Sequence, residues 1–471
     1  MPEIVEFERL LNKPNSDSTG FSGFFNSGGI VLTRVPARLD IMGGIADYSG
    51  ANVCEGVLGS GIVIALQPRT DRTLRIRTVQ AGRKALPVET RIPLEYFEEG
   101  DQLGSYAQVR ELARANPLSS WAAYIGGSIF TLLKEEGIRL SYGFSLLLLS
   151  NVPMNVGIGS SAATEIAVLS CLRAYLALPI SETRLARLGQ LAENQVVGAP
   201  CGIMDQIAVT SGRAGNLTHI LCRPGQVQGT VKIPEGTGFV GINSMVKHSV
   251  GGSAYGDVRI GAFMGRKIIN SERSRMGMEP ILYLSEITSE ELERDYRQHL
   301  PETMRGSEFL KKYQTHDDPV TTVQPDADYR ILGPTTHPIQ ENERVLAFMA
   351  ALQDGGESGC IRAGEQMFAA HESYQSNCHL SVDEVDFLVE AVRRRGTSSG
   401  LYGAKITGGG SGGAVAIFGT KDALAAEIPA IASEYQRRIG LYPDIFEGTS
   451  PGAAEFGAMH YEFSSHGWQR L

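Results

Sequence analysis

The dipeptide Gly-Lys occurs nowhere in these 471 residues. A Walker-type phosphate loop needs Gly-Lys followed by Ser or Thr, so that loop is excluded. A C-x-x-C pair is missing as well. Cys54, Cys171, Cys201, Cys222, Cys360 and Cys378 are scattered along the chain, a pattern of reduced thiols and a cytoplasmic setting rather than of a disulfide framework or a zinc site. No apolar run approaches the roughly 18 residues of a membrane helix. The opening MPEIVEFERL has neither the basic nor the apolar stretch of a signal peptide. Positive charge is in deficit: 43 Lys and Arg stand against 52 Asp and Glu, a net charge of −9. That balance argues against nucleic acid or a membrane surface as partner. A small anionic ligand stays open, because it needs only local donors.

What is present is a globular composition, 42% hydrophobic and 20% charged, in a chain long enough for two or three domains. Residues 151–163 read NVPMNVGIGSSAA. An apolar run ends at Ser150, Gly157 and Gly159 open a loop, and Ser160, Ser161 and Ala162 lead into a helix-forming run. Small residues at a helix start let backbone N–H groups approach an anion, and the helix N-terminus adds about half a positive charge. Two adjacent hydroxyls suit phosphate or a hard cation such as Mg²⁺. An ordinary Gly/Ser turn competes with this reading. So does a dinucleotide fingerprint, since Gly157-x-Gly159-x-x-Ala162 fits its loose form, although that form belongs in the first βαβ unit of a domain.

Three further segments carry chemistry. Residues 35–50, VPARLDIMGGIADYSG, gather Arg38, Asp40, Asp47 and Tyr48 around Gly43-Gly44. This suits polyol binding with charge neutralisation, or a surface turn with a salt bridge. Residues 192–206, AENQVVGAPCGIMDQ, carry Glu193 near a helix end and Asp205 in an apolar stretch. Asp205 suits the task of orienting a hydroxyl nucleophile or taking its proton, and Glu193 completes a Mg²⁺ site with Ser161. Both also read as solvated helix charges. Residues 403–413, GAKITGGGSGG, lie between two strand-like runs, so the glycines mark a close approach of backbone rather than a linker. His371, Glu372, Cys378 and His379 lack H-E-x-x-H spacing and read as helix-surface and helix-end residues.

Strand patterns at 30–36, 70–79, 142–149, 402–406 and 414–418 alternate with helical ones at 118–136, 164–178, 182–197, 258–273, 341–353, 361–372, 382–395 and 421–439. Residues 52–67 and 231–243 each read as strand, turn, strand. Residues 284–300 are charged and helical, a capping box is expected at 381–384, and 305–338 reads as an irregular insertion. The class is α+β.

The three glycine-bearing segments in this order, together with CGIMDQ at 201–206, resemble the GHMP small-molecule kinases from about residue 30 onward. The resemblance implies a two-lobed fold with a ribosomal S5 domain 2-like N-terminal lobe over 1–225 and a ferredoxin-like C-terminal lobe over 226–471. The active site would lie between them. CGIMDQ and the spacing of Arg38, Asp47 and Tyr48 resemble the galactokinase branch. MGGIADYSG, HSVGG at 248–252 and VRIGAFMGRK at 258–267 resemble the kinase part of plant L-arabinokinases, whose glycosyltransferase-like region has no counterpart here.

By that resemblance ATP and Mg²⁺ are the cofactors and a sugar is phosphorylated on its anomeric hydroxyl. Asp205 is the catalytic carboxylate, as base or orienter, with Arg38 its partner. Asp47, Gly44, Ile45, Gly202 and Tyr255 bind sugar. Gly157, Gly159, Ser160, Ser161 and Ala162 hold the phosphates, and Ser161 with Glu193 holds the metal. Galactokinases carry Glu-His where this chain has Gly44-Ile45, and that Glu holds a C6 hydroxyl. Its loss fits L-arabinose, which has no C6 group, and it also reads as space for a bulkier sugar. Galactose is the alternative substrate. A non-catalytic sugar sensor, or a kinase of mevalonate or homoserine, stands further off.

Overall fold

The protein is described by a computed structural model covering residues 1–12, 23–80, 88–100, 102–114, 121–246, 253–465 and 467–471. The segment 248–252 and the first residues of the expected helix 118–136 lie outside these. In chain order, the strands that build the two main sheets are β1 (Ile30–Met42), β2 (Asn52–Pro68), β3 (Thr73–Gln80), β4 (Val88–Pro93), β5 (Phe144–Ser150), β6 (Asn216–Leu221), β7 (Gln226–Lys232), β8 (Thr237–Asn243), β9 (Leu401–Ile406), β10 (Ala414–Thr420), β11 (Ile445–Phe446), β12 (Met459–Ser464) and β13 (Gly467–Arg470). The helices used below are α1 (Pro2–Leu11), α2 (Ala122–Glu135), α3 (Ser160–Tyr175), α4 (Glu182–Ala192), α5 (Met204–Ser211), α6 (Ser253–Arg275), α7 (Leu332–Asp354), α8 (Gly356–Ser373), α9 (Asp383–Arg395) and α10 (Lys421–Ile439).

The first sheet runs β13-β12-β1-β2-β5-β3-β4, with β6 on the N-terminal half of β2 and β7 on β6. Its pairs are antiparallel except β3 with β5. The second sheet is antiparallel, in the order β9-β10-β8-β11. Ile62, Ile64 and Leu66 of β2 and Leu146 and Leu148 of β5 share a core with Ile125 and Ile129 of α2 and Ile166 and Leu169 of α3. The second core centres on Ile242 of β8, Ile406 of β9 and Ile417 of β10.

Several expected elements differ. β1 continues past 36 to Met42, buried throughout, although it holds Arg34, Arg38 and Asp40. Charges survive in a buried strand only when they are paired. Arg34 donates to Ser450 Oγ at 2.7 Å and to Gly59 O at 2.6 Å, with Glu3 of α1 at 3.5 Å. Residues 52–68 form one strand instead of two. Gly61 lies where a β-carbon would stand 2.7 Å from the Arg34 guanidinium, so glycine marks a close approach there and not a turn.

The expected pair of strands over 231–243 is split between the sheets: Val231 and Lys232 end β7, and Thr237 opens β8. A division at 225/226 would cut the β6–β7 hairpin, whose register runs from Asn216↔Lys232 to Leu221↔Gln226. β12 also returns to β1 near the C-terminus, so both ends of the chain build the first sheet. The 305–338 segment is ordered: a helix over Gly306–Tyr313, a paired strand Asp328–Arg330 and the first turns of α7. Residues 284–300 form short turns and not one helix. No capping box forms at 381–384, because Ser381 donates to Asp386 instead.

Candidate functional site

Four segments meet at Arg38. Its Nε and Nη2 donate to the two carboxylate oxygens of Asp205, both at 2.8 Å, and Nη1 donates to Gly157 O at 2.5 Å. Its backbone N–H donates to Ile158 O at 3.0 Å. One guanidinium therefore grips the carboxylate of α5 and the glycine loop before α3. Burial pulls Arg38 down, but Asp205 and Glu55 more than offset it and hold it above its ordinary value. Glu55 of β2 lies 3.7 Å from Nε with a fully buried side chain, and burial pushes its carboxyl well up. Its oxygens have no hydrogen-bond partner among the described residues.

The loop expected to hold phosphate turns on two glycines. Gly157 (φ +75°) and Gly159 (φ +71°) take left-handed backbone, and Gly159 immediately precedes α3, whose first residues are Ser160, Ser161 and Ala162. A β-carbon on Gly159 would stand 2.9 Å from Arg38 Cγ. The second glycine run packs against the first: β-carbons on Gly408 and Gly413 would stand 3.1 Å from Gly157 O and 3.0 Å from Val156 O. The two glycine segments, about 250 residues apart in sequence, thus form one backbone-lined cradle that side chains would fill. A polyphosphate fits such a cradle at a helix N-terminus.

Asp47 sits in the 3₁₀ turn Gly44–Ser49 and is buried. A β-carbon on Gly202 would lie 1.8 Å from Asp47 Oδ2, so the CGIMDQ glycine is what admits this carboxylate. Burial, then the Asp205 charge, push Asp47 up to about 7. Tyr48 and Tyr255 meet edge to face at 6.1 Å, with the Arg259 guanidinium 5.2 Å from the Tyr48 ring. Arg259 donates to Pro200 O at 2.9 Å and is clamped by Asp318 at 2.7 and 2.8 Å. Thus Asp318, from the 305–338 segment, fixes the backbone that leads to Gly202.

Glu193 follows α4, where the helix widens over Glu193–Val197. Burial, then Asp205, raise its carboxyl to about 7, against hydrogen bonds from Cys201, Ser161 and Gln206. Gln206 Nε2 also bridges Glu193 and Glu165, at 2.8 and 3.0 Å. No group of three His, Cys, Asp or Glu suited to a metal occurs among the described residues. Mg²⁺ needs only one or two protein ligands beside water and phosphate. The hydroxyl and carboxylate of Ser161 and Glu193 fit it, and a cation would relieve the crowding of Glu193 by Asp205.

Gly44 and Ile45 do not open space. A β-carbon on Gly44 would stand 1.9 Å from the Tyr374 hydroxyl, and Ile45 is buried in the second core. The reading of Gly44 as room for a bulkier sugar is therefore corrected: a tyrosine from the other sheet's side fills that room.

The model of the GHMP kinases N terminal domain matches residues 123–213, the stretch that carries the first glycine loop of the cradle, Glu193 and Asp205. The chain carries a GHMP kinases N terminal domain over that stretch. An L-arabinokinase of Arabidopsis thaliana is 37% identical over 91% of the chain, which spans 46% of that relative's length. A galactokinase of Mannheimia succiniciproducens is 26% identical over 91% of the chain and 96% of its own length. The crystal structure of Lactococcus lactis galactokinase complexed with galactose superposes with a TM-score of 0.71 at 22% identity, covering 92% of this chain and 97% of that one, and shares the fold.

Sequence reading missed Glu55, Glu165, Tyr374, Lys405 and Asp318. Two of them had a signal: Glu55 and Lys405 are single charges inside apolar strand runs, NVCEGVLG and YGAKI. A lone charge there must find a partner.

Proposed function

We propose that this protein is a GHMP kinase that transfers the γ-phosphate of ATP to the anomeric hydroxyl of a sugar. The observation that carries the reading is Arg38, which binds both Asp205 oxygens and the Gly157 carbonyl at once. The acceptor carboxylate and the phosphate cradle thus share one cation. Asp47 and the Tyr48–Tyr255 pair offer a buried acceptor and an aromatic wall on the Asp205 side, as a polyol requires. Asp205 accepts a hydrogen bond from the sugar C1 hydroxyl and takes its proton as the oxygen attacks the γ-phosphorus in line, while the bond from that phosphorus to the β,γ-bridging oxygen breaks and ADP leaves. Arg38 holds Asp205 in place and offsets charge developing on the phosphoryl oxygens. Ser161 and Glu193 hold Mg²⁺, which supplies neutralisation of phosphate charge when bound.

L-arabinose is the first candidate substrate. The 37% identity to an L-arabinokinase supports it. Galactose is the second, supported by the galactokinase relatives. ADP release with Mg·ATP across a sugar panel tests both. L-arabinose should give a kcat/KM at least about tenfold above galactose, a difference of about 1.4 kcal/mol. A reversed preference moves the assignment to galactose, and no turnover with any sugar overturns the kinase reading. Asp205→Asn should lower kcat by about 10²-fold or more with the fold intact.

A further inference from the structure

We propose that Tyr374 is a positioning residue that couples the sugar-side turn to the nucleotide-side glycine loop, so that each ligand tightens binding of the other. The identity of the two ligands rests on the kinase reading above.

Tyr374 begins the Tyr374–Cys378 turn after α8, and its side chain is fully buried. Its hydroxyl has two partners from distant parts of the chain. It donates to Gly408 O at 2.7 Å and accepts from Ile45 N at 2.9 Å. Ile45 lies two residues from Asp47 in one 3₁₀ turn. Gly408 lies in the cradle, where a β-carbon would stand 3.1 Å from both Arg38 Nη2 and Gly157 O. A single hydroxyl therefore joins the turn that presents Asp47 to the loop that closes on Arg38 and the phosphate cradle.

Three observations show that the join is tight. Gly44 has φ +48° and no room for a β-carbon beside this hydroxyl. The Asp40 carboxylate makes a parallel tie, accepting from Gly44 N at 3.1 Å and Gly408 N at 2.9 Å. The His337 ring meets the tyrosine edge to face at 5.0 Å and fixes its plane. Two loops that share a buried hydrogen-bonding atom do not shift independently. A ligand that orders one of them removes part of the cost of ordering the other, and that is positive coupling.

The test is calorimetric titration of the preferred sugar, with and without a non-hydrolysable ATP analogue and Mg²⁺, on the wild type and Tyr374→Phe. The analogue should tighten sugar binding about fivefold or more in the wild type, at the low end of common coupling factors. In Tyr374→Phe the coupling should fall below about twofold, with the affinity for sugar alone nearly unchanged and kcat reduced. Gly44→Ala pushes a methyl group against the same hydroxyl from the other side and should lose coupling too, which keeps the test open if one variant unfolds. Full coupling in a folded Tyr374→Phe, or no coupling in the wild type, overturns the proposal while leaving the kinase reading intact. A wild type that turns over no sugar overturns the kinase reading and this proposal together.

Discussion

At the scale of single residues, the site is set by which carboxylates are allowed to be charged. Asp47 and Glu193 are both lifted to about 7 by burial and by the neighbouring Asp205 charge. A carboxyl raised on folding binds protons more tightly in the native state, so its stabilising contribution is complete below the unfolded value near 4 and is lost as pH rises through about 7. The free protein should melt higher at pH 5 than at pH 8, apart from effects of other groups. The gap between those two melting temperatures should narrow in Asp47→Asn. Under the proposed kinase reading activity should run the other way, because a sugar hydroxyl on Asp47 and Mg²⁺ on Glu193 would need these carboxylates ionised, and kcat/KM should fall below about pH 7. Gly202 is the second sensitive position. Gly202→Ala puts a methyl group where Asp47 Oδ2 now stands, 1.8 Å away. The sugar KM should rise about tenfold or more, roughly 1.4 kcal/mol, with the ATP KM little changed. Initial-rate kinetics with each substrate varied in turn separates the two.

At the scale of elements, the 305–338 segment reaches the sugar side of the site through the Asp318–Arg259 ion pair. Asp318 has no exposed side-chain surface and Arg259 almost none. Thr321 and Val320 N add further hydrogen bonds to Asp318, at 2.6 and 3.3 Å. Removing one partner from a buried pair leaves a charge without compensation, at a cost of about 3–5 kcal/mol. Asp318→Ala should lose stability of that order in urea unfolding, and Asp318→Asn, which keeps some of the hydrogen bonds, should lose less. In both variants the sugar KM should rise more than the ATP KM, because Arg259 holds Pro200 and Cys201 ahead of Gly202 and does not touch the glycine cradle. The irregular reading of this segment came from its prolines and mixed charge. Its short strand and helix are stabilised by contacts with α6, which local sequence does not encode.

At the scale of the whole molecule, the two sheets are joined beneath the site by a buried pair. Asp40 on β1 and Lys405 on β9 are 2.8 Å apart with no exposed side-chain surface. Burial raises the Asp40 carboxyl, but Lys405 more than offsets it and holds it below its ordinary value. A carboxyl lowered on folding stabilises at neutral pH and loses that contribution as pH falls through its native value. Lys405→Met leaves Asp40 facing apolar surroundings and should destabilise by about 3–5 kcal/mol at pH 7. Asp40→Asn combined with Lys405→Met should cost less than the sum of the two single changes, a non-additivity that denaturant unfolding measures directly. A long side chain without charge at 405 should also disturb the cradle, since Gly408 N donates to the same Asp40 oxygen.

The sequence by itself determined the α+β class, the two glycine segments and the residue types of the site. Those features are local: a glycine before a helix start, a carboxylate in an apolar run and a strand flanked by turns are each written within about ten residues. Tertiary structure alone decided which of these segments meet. Arg38 was legible as a cation on a glycine-bent segment, but its grip on Asp205 and Gly157 spans more than a hundred residues. Gly44 read as an opening because its occupant, Tyr374, lies 330 positions away. Strand pairing, and not composition, holds β6 to β7 across residue 225. Burial, close approach and shared hydrogen bonds depend on distances between remote residues, and those distances exist only once the chain has folded.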